Sequence, residues 1–270
     1  MVREEIVKLR KDAPKYGYEV DPLENMVMTA HYYPVTGGSQ RKASGGEYVE
    51  NTDMESKSAD FVKTMKYYFK DPEIYLTETG YDKVTNKFSK TGTPVAPGDS
   101  VDVNDISTYS QAKQVTRLVL SNYASGYDKI FLFTLKDPVH VGARGYRTKF
   151  STTGLIRKKG AKDHAWYAVN ALGQHLKNYT FESMEEVGDV RTMELRNNKS
   201  NGRAYIIWLT TNENKSIKGH PLALGDQFQK LKKVELSDIH PLGSESNLRA
   251  SNGKLMVDIT EFPQLIICEK

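Results

Sequence analysis

Ile74-Tyr75-Leu76-Thr77-Glu78-Thr79-Gly80-Tyr81-Asp82 carries a carboxylate to the end of an apolar, β-favouring run. With Pro72 ahead of it and Gly80 closing it, the run reads as a buried strand. Glu78 is its odd member. A glutamate buried without a partner is costly, so one at the C-terminal lip of a strand is either paired structurally or facing a cleft.

Outward from this strand the chain alternates between two periods. On its N-terminal side, Glu4 to Lys11 fits a short amphipathic helix ended by Pro14, and Met26 to Tyr33 reads as a strand closed by Pro34 and Gly37-Gly38. A polar loop, Ser39 to Thr52, precedes a helix from Ala59 to Phe69. On its C-terminal side, a long loop from Lys83 to Asp105 leads to a helix from Ser110 to Ala124, a strand from Lys129 to Leu135 and a helix from Lys162 to Leu176. Strands without polar alternation, each followed by a helix, predict βαβ units on a parallel sheet. The longest loops follow strands. In an eight-stranded α/β barrel the loops after the strands build the site, and His31, Glu78 and the Asp137 to His140 segment all fall there.

Beyond Lys177 the period shortens. Val190 to Leu195, Ala204 to Thr210, Lys233 to Ser237 and Lys254 to Ile259 read as short strands, with turns at Asn201-Gly202 and Asn252-Gly253. The expected fold class is therefore α/β followed by all-β: part of a (β/α)8 TIM barrel over residues 1–177, then a small antiparallel β-sandwich over residues 178–270.

Composition narrows the function classes. The 38 basic and 34 acidic residues nearly cancel, and the short clusters Arg157-Lys158-Lys159 and Lys230 to Lys233 lack interleaved aromatics, so no nucleic-acid partner is expected. No apolar stretch reaches the roughly 20 residues that span a membrane. Arg3-Glu4-Glu5 after Met1 is no signal peptide, and the compartment stays open. Cys268, the one cysteine, lies in the apolar run Leu265-Ile266-Ile267-Cys268 and reads as a small core residue. No His, Cys or carboxylate pair has ligand spacing and no glycine-rich phosphate loop follows a strand, so neither metal nor organic cofactor is expected.

Alternation puts His31 and Tyr33 on one side of the first strand, with Tyr32 opposite. Such a pair can donate hydrogen bonds to a neighbouring carboxylate and to sugar hydroxyls; the competing reading makes His31 a satisfied packing residue. Together, His31-Tyr32-Tyr33-Pro34, Leu76-Thr77-Glu78-Thr79-Gly80-Tyr81, and Phe150-Ser151-Thr152-Thr153-Gly154-Leu155-Ile156 ahead of Ala165-Trp166-Tyr167-Ala168-Val169 resemble the last three βα units of a clan A retaining glycoside hydrolase. The β-rich tail resembles the sandwich that often follows such barrels.

That resemblance implies Glu78 as the nucleophile that forms a glycosyl-enzyme, on a β-linked polysaccharide or oligosaccharide. It implies His31 and Tyr33 as sugar contacts that orient the nucleophile, with Tyr81, Phe133 and His140 completing the substrate-binding set. Phe133 or His140 would substitute for a tryptophan platform that the run Phe131 to Leu135 lacks. The family's acid, a glutamate after an asparagine at the end of the fourth strand, has no counterpart: Asn212-Glu213 lies in the β-rich part. Up to Lys177 the chain is also shorter than the roughly 250 residues of a whole barrel. Three explanations stay open: a fragment of a larger enzyme, a split subunit, or a rearranged domain without hydrolase activity. The fragment is the favoured one. Exposed apolar sheet edges then predict a missing N-terminal half or self-association as partner. A non-catalytic carbohydrate-binding or assembly module is the alternative, since the 16 tyrosines can stack on sugars without reaction.

Overall fold

The computed structural model describes residues 2–17, 26–34, 49–81, 105–137, 153–157, 159–224, 228 and 230–270. His140, Gly37-Gly38 and residues 83–104 of the expected long loop lie outside them. Three strands, β1 (Val27–His31), β2 (Glu73–Thr79) and β3 (Lys129–Leu132), form a parallel sheet with β2 in the centre. Two helices make the crossovers, α2 (Met54–Tyr68) between β1 and β2, and α3 (Asp105–Ala124) between β2 and β3. Ahead of them lies α1 (Val2–Asp12), of which Ile6 is buried; behind β3 lies α4 (His164–Leu176).

Period-2 alternation gives this sheet two unlike faces. Met28, Ala30, Ile74, Leu76, Ile130 and Leu132 join the core that also holds Val62 and Met65 of α2 and Val115 and Leu118 of α3. Ile74 and Leu76 are fully buried, and each contributes about 1.5–3 kcal/mol by leaving water. On the opposite face Val27 is 45% exposed and Phe131 49%.

Two expectations need correction in this half. The strand from Lys129 stops at Leu132 and not Leu135, because Leu135 and Asp137 turn to pair with another segment: Ile156 N donates to Leu135 O at 3.0 Å and Asp137 N to Ile156 O at 2.9 Å. The polar loop read from Ser39 to Thr52 ends in a 3-10 turn, Val49–Asn51, whose Val49 is 1% exposed and whose Glu50 side chain is 4% exposed. Glu50 accepts the Arg117 guanidinium through two 2.7 Å bonds and the Trp208 indole N–H at 3.0 Å, so a carboxylate becomes part of the interior.

Among the described residues, the β-rich half holds two antiparallel sheets. The larger has six strands in the order β4 (Tyr179–Val187), β5 (Val190–Asn197), β6 (Arg203–Leu209), β11 (Gln264–Glu269), β8 (Lys230–Glu235) and β9 (Ser244–Leu248). The smaller pairs β7 (Ser216–Ala223) with β10 (Lys254–Thr260). One face of the large sheet packs Ile207, Ile266 and Cys268 against Leu222, Leu255, Val257 and Ile259 of the small one. Its other face, carrying Met193, Leu195, Ile206, Trp208 and Leu265, belongs to the same core as α2, α3 and α4. Double burial explains the unbroken apolar runs in β6 and β11, since an antiparallel strand wet on one face would alternate.

Asn252-Gly253 forms the expected tight turn, with φ of 49° and 68°, but it joins β9 and β10, which belong to different sheets. Asn201-Gly202 is instead the end of a longer β5–β6 connection, in which Gly202 O accepts from Asn197 N at 3.0 Å. No helix of the described residues is long and apolar enough to cross a membrane.

Candidate active site

The C-terminal end of β2 carries an irregularity that decides where Glu78 points. Between Leu76 and Thr79 β2 advances three residues while β3 advances two, from Ile130 to Leu132. Between Leu76 and Glu78 it advances two while β1 advances one, from Ala30 to His31. Both ladders therefore place one extra residue in β2 at Thr77-Glu78, which is a β-bulge. Strict alternation from Ile74 and Leu76 would aim Glu78 at the helices. With the extra residue it emerges beside His31, on the open side of the sheet, and Thr79 returns to the interior at 0% exposure. The Thr77 hydroxyl fastens the bulge by donating to Ala30 O at 3.1 Å.

Among the described residues, two side chains meet the carboxylate there. The Tyr33 hydroxyl donates to Glu78 Oε2 at 3.2 Å, and His31 Nδ1 lies 3.5 Å from the same oxygen. The Glu78 side chain is 36% exposed and the His31 side chain 58%, so the cluster is open to solvent. The backbone also joins the two strands, with Tyr32 N donating to Glu78 O at 3.1 Å. Tyr32 itself points away, as alternation requires, and its hydroxyl donates to Asp53 Oδ1 at 2.8 Å.

Gly80 follows because the chain behind β3 comes close: a Cβ there would sit 2.7 Å from Phe133 O. Phe133 N donates to Thr79 O at 2.8 Å, which brings half-buried Phe133 to the end of β2. The Phe133–Thr134 peptide bond is cis. Tyr81 departs from its expected place at the lip. Its ring is 2% exposed within the main core, and its carbonyl accepts from Gln111 Nε2 at 2.8 Å, so α3 draws the residue inward.

Of the segment 150–156, the described part folds against the end of β3. Gly154 N donates to Asp137 Oδ1 at 2.8 Å, and a Cβ on Gly154 would fall 2.2 Å from Asp137 N. The sequence reading thus brought together His31, Tyr33 and Glu78, and missed Thr77 and Asp53. Nothing in the run around Thr77 signals a bulge. Asp53 stands six residues ahead of the helix read from Ala59, and only the start at Met54 makes it the N-cap. It occupies that position, but its side chain makes no cap bond and turns to Tyr32 and Lys57. Among the described residues no group of three or more His, Cys, Asp or Glu is arranged to hold a metal ion.

No protein-family model matches the sequence, and no curated protein matches it. Solved structures do match in fold. The chain is similar to the family 39 glycoside hydrolase of Bacteroides cellulosilyticus WH2, with a TM-score of 0.61 and 17% identity over 90% of this chain and 44% of that one. It is similar to CelM2, a bifunctional glucanase-xylanase from a metagenome library, with a TM-score of 0.54 and 12% identity over 98% and 46%. It is also similar to the family 44 xyloglucanase of Paenibacillus polymyxa, with a TM-score of 0.51 and 10% identity over 98% and 50%. The chain spans about half the length of the structures it matches. At these identities the likeness is one of fold, and it bears out the resemblance to clan A glycoside hydrolases at that level: the parallel sheet with its antiparallel companion is a glycosidase-like fold.

Proposed function

We propose that Glu78 is the nucleophile of a retaining glycoside-hydrolase site that this chain forms in part, acting on a β-linked polysaccharide or oligosaccharide. The observation that carries the reading is the Glu78 carboxylate at the C-terminal end of the central parallel strand, with the Tyr33 hydroxyl and the His31 ring on one of its oxygens. In this reading residues 1–177 are the C-terminal part of a (β/α)8 barrel and residues 178–270 the sandwich appended to it.

The chemistry assigns each group a task. A Glu78 oxygen attacks the anomeric carbon as the glycosidic C–O bond breaks, and an acid protonates the leaving oxygen. Water then hydrolyses the glycosyl-enzyme and restores the carboxylate. Tyr33 and His31 fix one carboxylate oxygen and leave the other to react. The acid needs to lie about 5–5.5 Å from the nucleophile. The one Asn-Glu pair in the chain does not supply it, because Glu213 sits in the β6–β7 loop beside Lys215, 2.8 Å away. In this reading the acid comes from a further polypeptide segment that completes the barrel beside β1 and β3.

A probe that bypasses the acid tests the assignment. A 2,4-dinitrophenyl 2-deoxy-2-fluoro-β-glycoside has a leaving group that departs without protonation, and its fluorine slows hydrolysis of the adduct. Intact-mass and peptide analysis with gluco, xylo and manno probes should find one fluoroglycosyl unit on Glu78 and none on the Glu78→Gln variant. Labelling at another residue, or none at saturating probe, would remove the nucleophile assignment. Retained binding of oligosaccharides without labelling would favour the non-catalytic carbohydrate-binding reading.

A further inference from the structure

We infer that Tyr32 and Asp53 are positioning residues for Glu78, an inference that rests on the nucleophile assignment above. Three consecutive residues at the end of β1 address Glu78: His31 and Tyr33 through their side chains, and Tyr32 through its N–H on the Glu78 carbonyl at 3.1 Å. The middle residue decides where the other two sit. Because its side chain leaves on the opposite face, whatever holds the Tyr32 ring sets the height and twist at which His31 and Tyr33 reach the carboxylate.

Asp53 holds it. The Tyr32 hydroxyl donates to Asp53 Oδ1 at 2.8 Å, its ring packs on the main core, and Lys57 completes the group with its ammonium 2.6 Å from Asp53 Oδ2. Burial first, then the Asp53 carboxylate, raises the Tyr32 phenol above its ordinary value and keeps the donor protonated. Lys57 first, then Tyr32, lowers the Asp53 carboxyl and keeps the acceptor charged.

Asp53 is in turn anchored through the chain ahead of it. The Val49–Asn51 turn is closed by the Thr52 hydroxyl on Val49 O at 2.8 Å, and Met54 N donates back to that hydroxyl at 3.2 Å. Glu50 within the turn is clamped by Arg117 of α3 and Trp208 of β6, and Arg117 also donates to Thr210 O and Thr211 O, both at 2.9 Å. A continuous set of bonds thus runs from the antiparallel half, through Glu50 and Asp53, to Tyr32 and the lip of β1. It gives the antiparallel half a part in the site that its distance from Glu78 conceals.

The test reads Glu78 itself in the full chain. With glutamate labelled at the carboxyl carbon, the Glu78 resonance is assigned by its disappearance in Glu78→Gln. Tyr33→Phe, which removes the direct donor, should move that resonance. Tyr32→Phe, which keeps the ring, and Asp53→Ala, at a half-exposed position, should each move it in the same direction by at least half as much. If both lower the melting temperature and leave the resonance at its wild-type position, the pair is only a structural tether and the inference is overturned. If Tyr33→Phe also leaves it unmoved, the Glu78 cluster does not form in solution and the site reading falls with it.

Discussion

Glu50 and Glu78 are the same side chain in opposite settings, and the contrast separates stability from function. Glu50 is 4% exposed, and its loss would strand Arg117, which is 0% exposed, without its counter-charge. Glu50→Ala is expected to cost about 3–5 kcal/mol in urea denaturation. Glu78 is 36% exposed, and Glu78→Gln should change the same measurement by no more than about 0.5 kcal/mol while abolishing fluoroglycosyl labelling. Glu261 makes a third case, with Lys113 Nζ at 2.6 Å and three donors from the loop 211–215 on its other oxygen. Burial pushes its carboxyl up, but Lys113 and the loop donors outweigh it and leave it below the ordinary 4.5. The folded state then binds fewer protons than the unfolded chain, so this contribution is fully present above about 4.5 and is lost as pH falls through the lower folded value. Urea midpoints followed down through that window should fall less steeply in Glu261→Gln than in the wild type. At this scale the sequence disclosed Glu78, because a charge inside an apolar run is conspicuous. It hid Glu50 and Glu261, whose partners lie 67 and 148 residues away.

At the scale of elements, the helices and the three parallel strands were legible because their apolar periodicity is strong, and errors collected at their ends. The α2 helix begins at Met54 and not Ala59, since Met54, 0% exposed, adds a buried turn ahead of the periodic stretch. β4 escaped notice because Glu182, Glu185 and Glu186 give an edge strand a polar look, and β7 because Gly219 and Pro221 read as breakers. Pro221 is tolerated there because, among the described residues, β7 pairs with β10 alone. The bulge in β2 was illegible for a different reason: it shows only in the registers against both neighbours. Deleting Thr77 tests its role. With β2 restored to regular alternation, Glu78 would follow Leu76 directly and stay on the open face, opposite Ile74 and Leu76, so the variant should keep labelling at Glu78.

For the whole molecule, sequence periodicity puts the change from α/β to β near Lys177; α4 ends at Leu176 and β4 begins at Tyr179. It did not reveal how much the two parts share. One core runs from Ile6 through α2, α3 and α4 to Trp208 and Leu265, and buried charges cross the same boundary at Arg117, Lys113 and Arg191. Packing partners this far apart in the chain leave no local mark.

The six-stranded sheet, covered on both faces, means that the chain has no seam to cut along. Residues 178–270 expressed by themselves would wear Met193, Leu195, Ile206, Trp208 and Leu265 as surface, and light scattering should find them more strongly self-associated than the full chain. A protease that nicks the chain beside Lys177 would, by the same logic, leave two pieces that elute together until denaturant is added.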